Sequence, residues 1–150
     1  MFRGNVEHTL DGKGRLSIPA KFRDLLLGKG DERIVITNFT VGGMRCLDVY
    51  PIDEWIRFEE EIRKKPSFDS RMVILQNYYL GGACECVVDK QGRILIPPLL
   101  REYADLKRDV VLVSALGKFR VWDRETWKKA FADAEDKLMQ NPDLLGGLGL

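Results

Sequence analysis

The chain of 150 residues is 45% hydrophobic and 31% charged, with 24 Lys plus Arg against 23 Asp plus Glu. That usage fits a globular protein with an ordinary core and excludes disordered and membrane-embedded classes, while the near balance of charge points to no partner by itself. No apolar run approaches the roughly 20 residues that span a bilayer, and the opening MFRGNVEHTLDGKGR contains no apolar signal region, so the expected location is the cytoplasm.

In chain order, Val6, His8 and Leu10 alternate with polar residues, the period of a strand with one buried face. Asp11-Gly12-Lys13-Gly14 follows as a tight turn, in which Asp bonds its own downstream backbone and Gly tolerates positive φ. Leu16 and Ile18 then alternate inward on a returning strand, with Arg15 pointing outward at the base of the hairpin. Pro19 donates no ladder hydrogen bond, so it ends that strand and opens a short helix bearing Phe22, Leu25 and Leu26, closed by Gly28 and Gly30. A strand at RIVIT, a loop at NFTVGGM and a strand leading into VYPIDEW complete the unit, with a helix beginning near Asp53.

Helical stretches over about 52–65 and 69–80 come next, separated by Pro66. Met72, Leu75 and Tyr79 form an amphipathic stripe for the core or a subunit interface. Gly81 and Gly82 then release the chain into a second copy of the first unit. At an offset of 78 (Asp11 to Asp89), Cys84, Cys86 and Val88 replace Val6, His8 and Leu10, and Asp89-Lys90-Gln91-Gly92 replaces the turn. Arg93, Ile94, Ile96, Pro97 and Arg101 keep the register, and Leu100, Tyr103 and Ala104 match the first short helix. Further on, VVLVS and VWDRETW match RIVIT and VYPIDEW, the latter at an offset of 72 (Trp55 to Trp127). The expected organisation is a first repeat over 5–52, a helical linker over 53–80, a second repeat over 81–124, and a C-terminal helix with a mobile tail over 125–150. Cys46, Cys84 and Cys86 are an odd number of thiols in a chain read as unexported. They are expected to be reduced, with Cys84 and Cys86 as small buried residues rather than metal ligands.

These features, together with the Met1-Phe2-Arg3-Gly4 start, resemble the MraZ family, whose units look like the SpoVT-AbrB type of DNA-binding domain. The resemblance covers nearly the whole chain and rests on two Asp-x-x-Gly-Arg turns with Pro and Arg at matched spacing. It implies a mainly β fold with peripheral helices (α+β), a pseudo-symmetric swapped-hairpin barrel built from the two repeats. It further implies ring-like homo-oligomers and a transcriptional regulator, nucleoid-associated, that binds short direct repeats in the promoter of the division and cell-wall gene cluster. No cofactor, membrane or small-molecule substrate is implied.

Charge distribution agrees with a nucleic-acid partner. Lys13, Arg15, Lys21 and Arg23 stand against Asp11 alone in the first motif, and Lys90, Arg93 and Arg101 against Asp89 in the second. The helices from Asp53 and Asp123 each carry four basic and five acidic residues over 53–65 and 123–137. Basicity is thus concentrated at the turns, where Arg can read guanine and Lys can neutralise phosphate. The candidate DNA-binding residues are Arg15 foremost, then Lys13, Lys90 and Arg93, with the more basic first turn expected to approach DNA more closely. Arg23 and Arg101 are equally consistent with a structural role.

Asp11–Arg15 and Asp89–Arg93 ion pairs that merely fasten the turns are the competing reading, in which the chain is an oligomeric protein-interaction ring without direct DNA readout. An enzyme built on an Asp11/Asp89 dyad fits poorly, because both carboxylates look exposed and sit beside cations. No P-loop, G-x-S-x-G or metal-ligand cluster appears in the sequence.

Overall fold

A computed structural model describes residues 1–28 and 30–150. Each repeat follows the same order: β1 (Asn5–Thr9), β2 (Arg15–Ser17), α1 (Ala20–Leu26), β3 (Arg33–Val41), β4 (Met44–Pro51) and α2 (Ile52–Arg63) in the first. The linker contributes α3 (Ser70–Leu75), which runs into a π-helical turn over Gln76–Leu80. The second repeat supplies β5 (Cys84–Val87), β6 (Arg93–Leu95), α4 (Pro98–Tyr103), β7 (Asp109–Ala115), β8 (Lys118–Asp123) and α5 (Arg124–Gln140), and a short exposed α6 (Leu144–Gly147) follows.

The strands of the two repeats interleave. One antiparallel sheet has the order β1-β7-β8-β4-β3-β5, so that β1 of the first repeat pairs with β7 of the second and β5 of the second with β3 of the first. The β2 strand forms a ladder with β6, as a separate two-stranded ribbon. The result is α+β and mainly antiparallel. The expected swapped-hairpin barrel is not what these ladders form: the sheet is open, with β1 and β5 at its edges. The strands flanking the turns form no long hairpin: β1 and β2 meet at the isolated bridge Leu10–Leu16, and the Asp11 and Asp89 N–H groups donate to the Arg15 and Arg93 carbonyls at 3.0 and 2.9 Å.

Alternation places the core. Leu16, Ile18, Ile94 and Ile96 face inward from the ribbon and the segments just after it, Phe22 and Leu100 from the two short helices, and Ile34, Ile36, Leu47, Val110 and Leu112 from the sheet. Leu25, expected to share this core, is 37% exposed, because α1 is only two turns long and Phe22 and Leu26 already occupy its inward face. Cys84 and Cys86 are half-buried against the same cluster, and Cys46 is fully buried on the other side of the sheet.

The expected NFTVGGM loop is instead the end of a long hairpin. β3 and β4 stay paired from Ile34–Pro51 to Val41–Met44, and only Gly42 and Gly43 turn, with φ of 58° and 78°. Two consecutive positive φ values define the tight turn that suits twisted strands, which Gly-Gly supplies at no steric cost. The extension carries Phe39 over Tyr79 and under the Arg120 guanidinium, at 4.7 Å.

On that outer face the linker is fastened by a buried polar cluster. Asp48, fully buried, accepts from Arg120 Nε at 2.9 Å and from the Tyr79 hydroxyl at 2.5 Å, with Lys118 Nζ at 3.8 Å. The Tyr50 and Tyr79 hydroxyls are 2.8 Å apart, and Thr37 Oγ1 donates to the Tyr79 carbonyl at 2.6 Å. Burial, with the Asp48 carboxylate beside it, pushes the Tyr79 hydroxyl far above its ordinary range, so it remains a donor. The π turn exposes the carbonyls that Thr37 and Asn38 hold, the Asn38 amide reaching the Tyr78 carbonyl at 3.0 Å.

Removing the hydroxyl in Tyr79→Phe leaves Asp48 short of one buried donor, so urea denaturation should register a loss of about 1–3 kcal/mol. A variant as stable as wild type would mean that Arg120 and Lys118 satisfy Asp48 unaided.

Candidate nucleic-acid interface

The two turns share one hydrogen-bond plan. Asp11 Oδ1 accepts from the backbone N–H groups of Lys13 and Arg15, each at 2.9 Å, and Oδ2 from Arg15 Nε at 2.6 Å. Asp89 Oδ1 accepts likewise from Gln91 and Arg93 at 2.8 and 2.9 Å, and Oδ2 from Arg93 Nε at 3.0 Å. The Gly14 and Gly92 N–H groups close the turns onto the Asp carbonyls at 3.0 and 2.9 Å. These donors, the Arg15 backbone N–H foremost, hold the Asp11 carboxyl at about 2 against desolvation, and the same arrangement lowers Asp89. The Asp–Arg pairs anticipated as turn fasteners therefore exist.

They consume only part of each guanidinium. The pairing uses Nε, and among the described residues neither Arg15 nor Arg93 makes another side-chain hydrogen bond or ion pair. The two Nη groups at the far end of each fork are left for a bidentate acceptor, while Asp restricts the rotamers that carry them.

The ribbon brings both arginines to one surface. Antiparallel pairing sets Arg15 opposite Leu95, Leu16 opposite Ile94 and Ser17 opposite Arg93. Leu16 and Ile94 point into the core, so Arg15, Ser17, Arg93 and Leu95 share the outer face. Lys13 and Lys90 sit on the turns at the ends of this ribbon, both exposed, but at different turn positions: Lys13 corresponds to Gln91, and Lys90 to Gly12.

Each turn is completed by the other repeat. The Gly14 carbonyl accepts from Ile96 N–H at 3.1 Å and the Gly92 carbonyl from Ile18 N–H at 2.9 Å. A Cβ on Gly14 would lie 2.5 Å from Arg101 Nε, and one on Gly92 would lie 2.8 Å from Arg23 Cδ. Both glycines have positive φ, 81° and 74°. Glycine is thus required by the backbone conformation, and a Cβ at either position would also push aside the guanidinium laid across it. Arg23 and Arg101 are therefore packing residues for the opposite turn, Arg101 also donating through Nε to the Ile96 carbonyl at 3.0 Å. Local spacing does not disclose this role, because the target of each arginine lies in the other repeat.

The Asp11 turn and ribbon border a cleft of about 820 Å³ that extends to α4 and the loop before β7. Among the described residues no group of His, Cys, Asp or Glu is arranged to hold a metal ion, and no helix is long and apolar enough to cross a membrane. His8, read from the sequence as facing the buried side of its strand, is half-buried and its Nδ1 accepts from the Thr9 N–H at 2.9 Å.

A family model described as "MraZ protein, putative antitoxin-like" matches residues 1–76 and 79–144. The chain is 41% identical over 150 residues to a protein of Desulfitobacterium hafniense (strain DSM 10664 / DCB-2) named "Transcriptional regulator MraZ", covering 100% of both chains. It is 42% identical over 153 residues, again covering 100% of both, to a protein of the same name from Thioalkalivibrio sulfidiphilus (strain HL-EbGR7). A relative of that name from Caldanaerobacter subterraneus subsp. tengcongensis is 42% identical over 129 residues, 86% of this chain and 85% of the relative.

Two outcomes test the construction of the turns. Gly14→Ala should cost about 1–2 kcal/mol from the left-handed backbone alone, plus a further loss from the Arg101 clash that Gly14→Ala/Arg101→Ala restores in thermal melts. Because the folded Asp11 pKa of about 2 lies below its unfolded value of about 3.9, the carboxylate stabilises the fold above the latter and that contribution is lost as pH falls through the former. Urea titrations should therefore show a flatter fall in stability over that window for Asp11→Asn than for wild type.

Proposed function

The chain belongs to the MraZ family, matched over residues 1–76 and 79–144, and from that membership we propose that it is a sequence-specific DNA-binding regulator of transcription. Its curated relatives are named as transcriptional regulators, and it is not an enzyme. The observation that carries the DNA reading is the outer face of the β2–β6 ribbon, where Arg15 and Arg93 are each held through Nε with both Nη groups unspent.

A two-stranded ribbon is narrow enough for the major groove, and an Arg fork presenting two N–H groups matches the O6/N7 edge of guanine. In this reading Arg15 is the principal base or anchor contact, Arg93 its weaker counterpart, and Lys13 and Lys90 neutralise backbone phosphates at the ribbon ends. The Asp partners do not compete with this role; they pre-organise it by limiting the conformations each Arg must give up on binding. A free Arg would sacrifice more rotamer entropy for the same contact.

One protomer offers too few contacts for tight binding at physiological salt, since each phosphate contributes mainly by counterion release. We place the chain in a ring-like homo-oligomer whose neighbouring ribbons engage successive short direct repeats, a geometry that raises avidity by about 10²–10⁴. The regulated promoter is that of the division and cell-wall gene cluster, which implies a nucleoid-associated protein in the cytoplasm. In this scheme the two repeats, 5–52 and 81–124, form one reading ribbon per protomer.

Fluorescence anisotropy with a labelled duplex from that promoter, at two salt concentrations, tests the reading. Arg15→Ala should lose at least about tenfold in affinity, consistent with the 1–3 kcal/mol carried by a bidentate base contact, and Arg93→Ala less, each at unchanged oligomeric size. If wild type and both variants bind alike, the arginines only fasten turns and the protein-interaction ring is the better account.

A further inference from the structure

We propose that Arg108, on the loop between α4 and β7, contacts a DNA backbone phosphate beside the Asp11 turn, making the two ends of the ribbon unequal. This rests on the DNA-binding reading above and adds to it a residue outside both turn motifs.

Strand pairing supplies a correspondence between the repeats that sequence similarity does not. His8 pairs with Val110, and its counterpart Cys86 pairs with Ile34. Val110 and Ile34 are therefore equivalent, at an offset of 76, and by the same step Arg108 corresponds to Glu32 and Lys107 to Asp31. Backbone bonds agree: Leu10 N–H donates to the Arg108 carbonyl at 2.8 Å, and Val88 N–H to the Glu32 carbonyl at 3.0 Å. The residue that docks the strand just ahead of Asp11 is thus a cation, and the one just ahead of Asp89 is an anion.

Pairing among the neighbours sharpens the contrast. In the cleft beside the Asp11 turn, Asp11 is taken by Arg15, and Asp105 by Lys107 Nζ at 3.2 Å, which also lies 3.7 Å from Asp123. Arg101 is committed to the Ile96 carbonyl and the Gly14 face. The Arg108 side chain lines the same cleft, is exposed, and among the described residues has no ion pair or side-chain hydrogen bond. Glu102, the remaining acidic lining residue, is exposed on α4. Beside the Asp89 turn, Asp31 is bound by Arg33 at 2.7 Å, and Glu32 is exposed and, among the described residues, has no ion pair or side-chain hydrogen bond.

At this matched position a duplex laid along the ribbon meets the Arg108 guanidinium at one end and the Glu32 carboxylate at the other. The first attracts a phosphate and the second repels one, so the backbone is drawn toward the Asp11 side. Arg108 contributes to the fold through its carbonyl, leaving its side chain free to be changed.

The test measures affinity against salt concentration for wild type, Arg108→Glu, Arg108→Lys and a distant control, Lys65→Glu, on the promoter duplex and on a scrambled duplex of equal length. Equal thermal melts and oligomeric size are checked first. Arg108→Glu should weaken binding to both duplexes and lower the slope of log K against log salt by about 1, the signature of one lost phosphate contact. Arg108→Lys should keep the wild-type slope, and Lys65→Glu should leave it unchanged. An Arg108→Glu slope equal to wild type, while Arg15→Ala still loses promoter binding, overturns the Arg108 contact and spares the DNA reading. An equal loss in Lys65→Glu overturns it as a general charge effect. Absence of salt-dependent binding by wild type overturns both.

Discussion

The structure depends on an exchange across the β2–β6 ribbon: each Gly carbonyl, Gly14 and Gly92, accepts its hydrogen bond from the repeat it does not belong to. Neither turn can then be complete alone. A tight turn leaves carbonyls that its own short strands cannot satisfy, and an open glycine face that water would otherwise occupy. Here Ile96 and Ile18 supply the donors, while Arg101 and Arg23 cover the faces. The duplication in sequence follows from this reciprocity, because a motif that completes its own copy must appear twice in one chain.

The same exchange governs the sheet. With β2 and β6 committed to each other, β1 and β5 must find other partners, and each does so on the opposite repeat's β7 or β3. The β4 and β8 strands meet between them, from Leu47–Val121 to Val49–Phe119. The pseudo-symmetric core closes there, with the Phe2, Phe22 and Phe119 ring centroids 5.2–5.4 Å apart, Phe2 edge-on to the other two and Phe22 tilted against Phe119. The linker lies on the far face of the sheet, where Tyr79 and Asp48 anchor it, so a hydrophobic core and a buried polar cluster occupy opposite sides of one layer.

Much of this was open to reading from the chain itself. The Asp, Gly and Arg of each turn are short-range features: their partners lie within four residues, and spacing alone announces them. Leu16, Ile18, Ile94 and Ile96 are equally plain, because alternation reveals a face. Alternation does not reveal a partner, however, and a hairpin between β1 and β2 is the natural inference from a turn flanked by two short strands. The long β3–β4 hairpin was obscured for a different reason. Asn38 has poor strand propensity and Gly42-Gly43 reads as the end of a loop, but Phe39 and Arg120 stack across the extension and tertiary packing overrides the local preference. Asp48, lying in the apolar run CLDVY, is the one sequence signal that a buried polar cluster awaited.

Arg108 belongs to the portion that no local pattern could disclose. Its loop, ADLKRD, is nearly neutral and matches the LGKGDER loop of the first repeat only through a gap, so the charge reversal against Glu32 appears once strand pairing aligns them. Internal duplication keeps what both copies need for folding and leaves free what only one copy uses. The turns' Asp, Gly and Arg are shared because each half must complete the other. Positions whose backbone alone serves the fold, such as Arg108 and Glu32, can take opposite charges without loss of structure. A pseudo-symmetric scaffold thereby presents a polar surface, which under the proposed DNA reading distinguishes a directional repeat from its reverse.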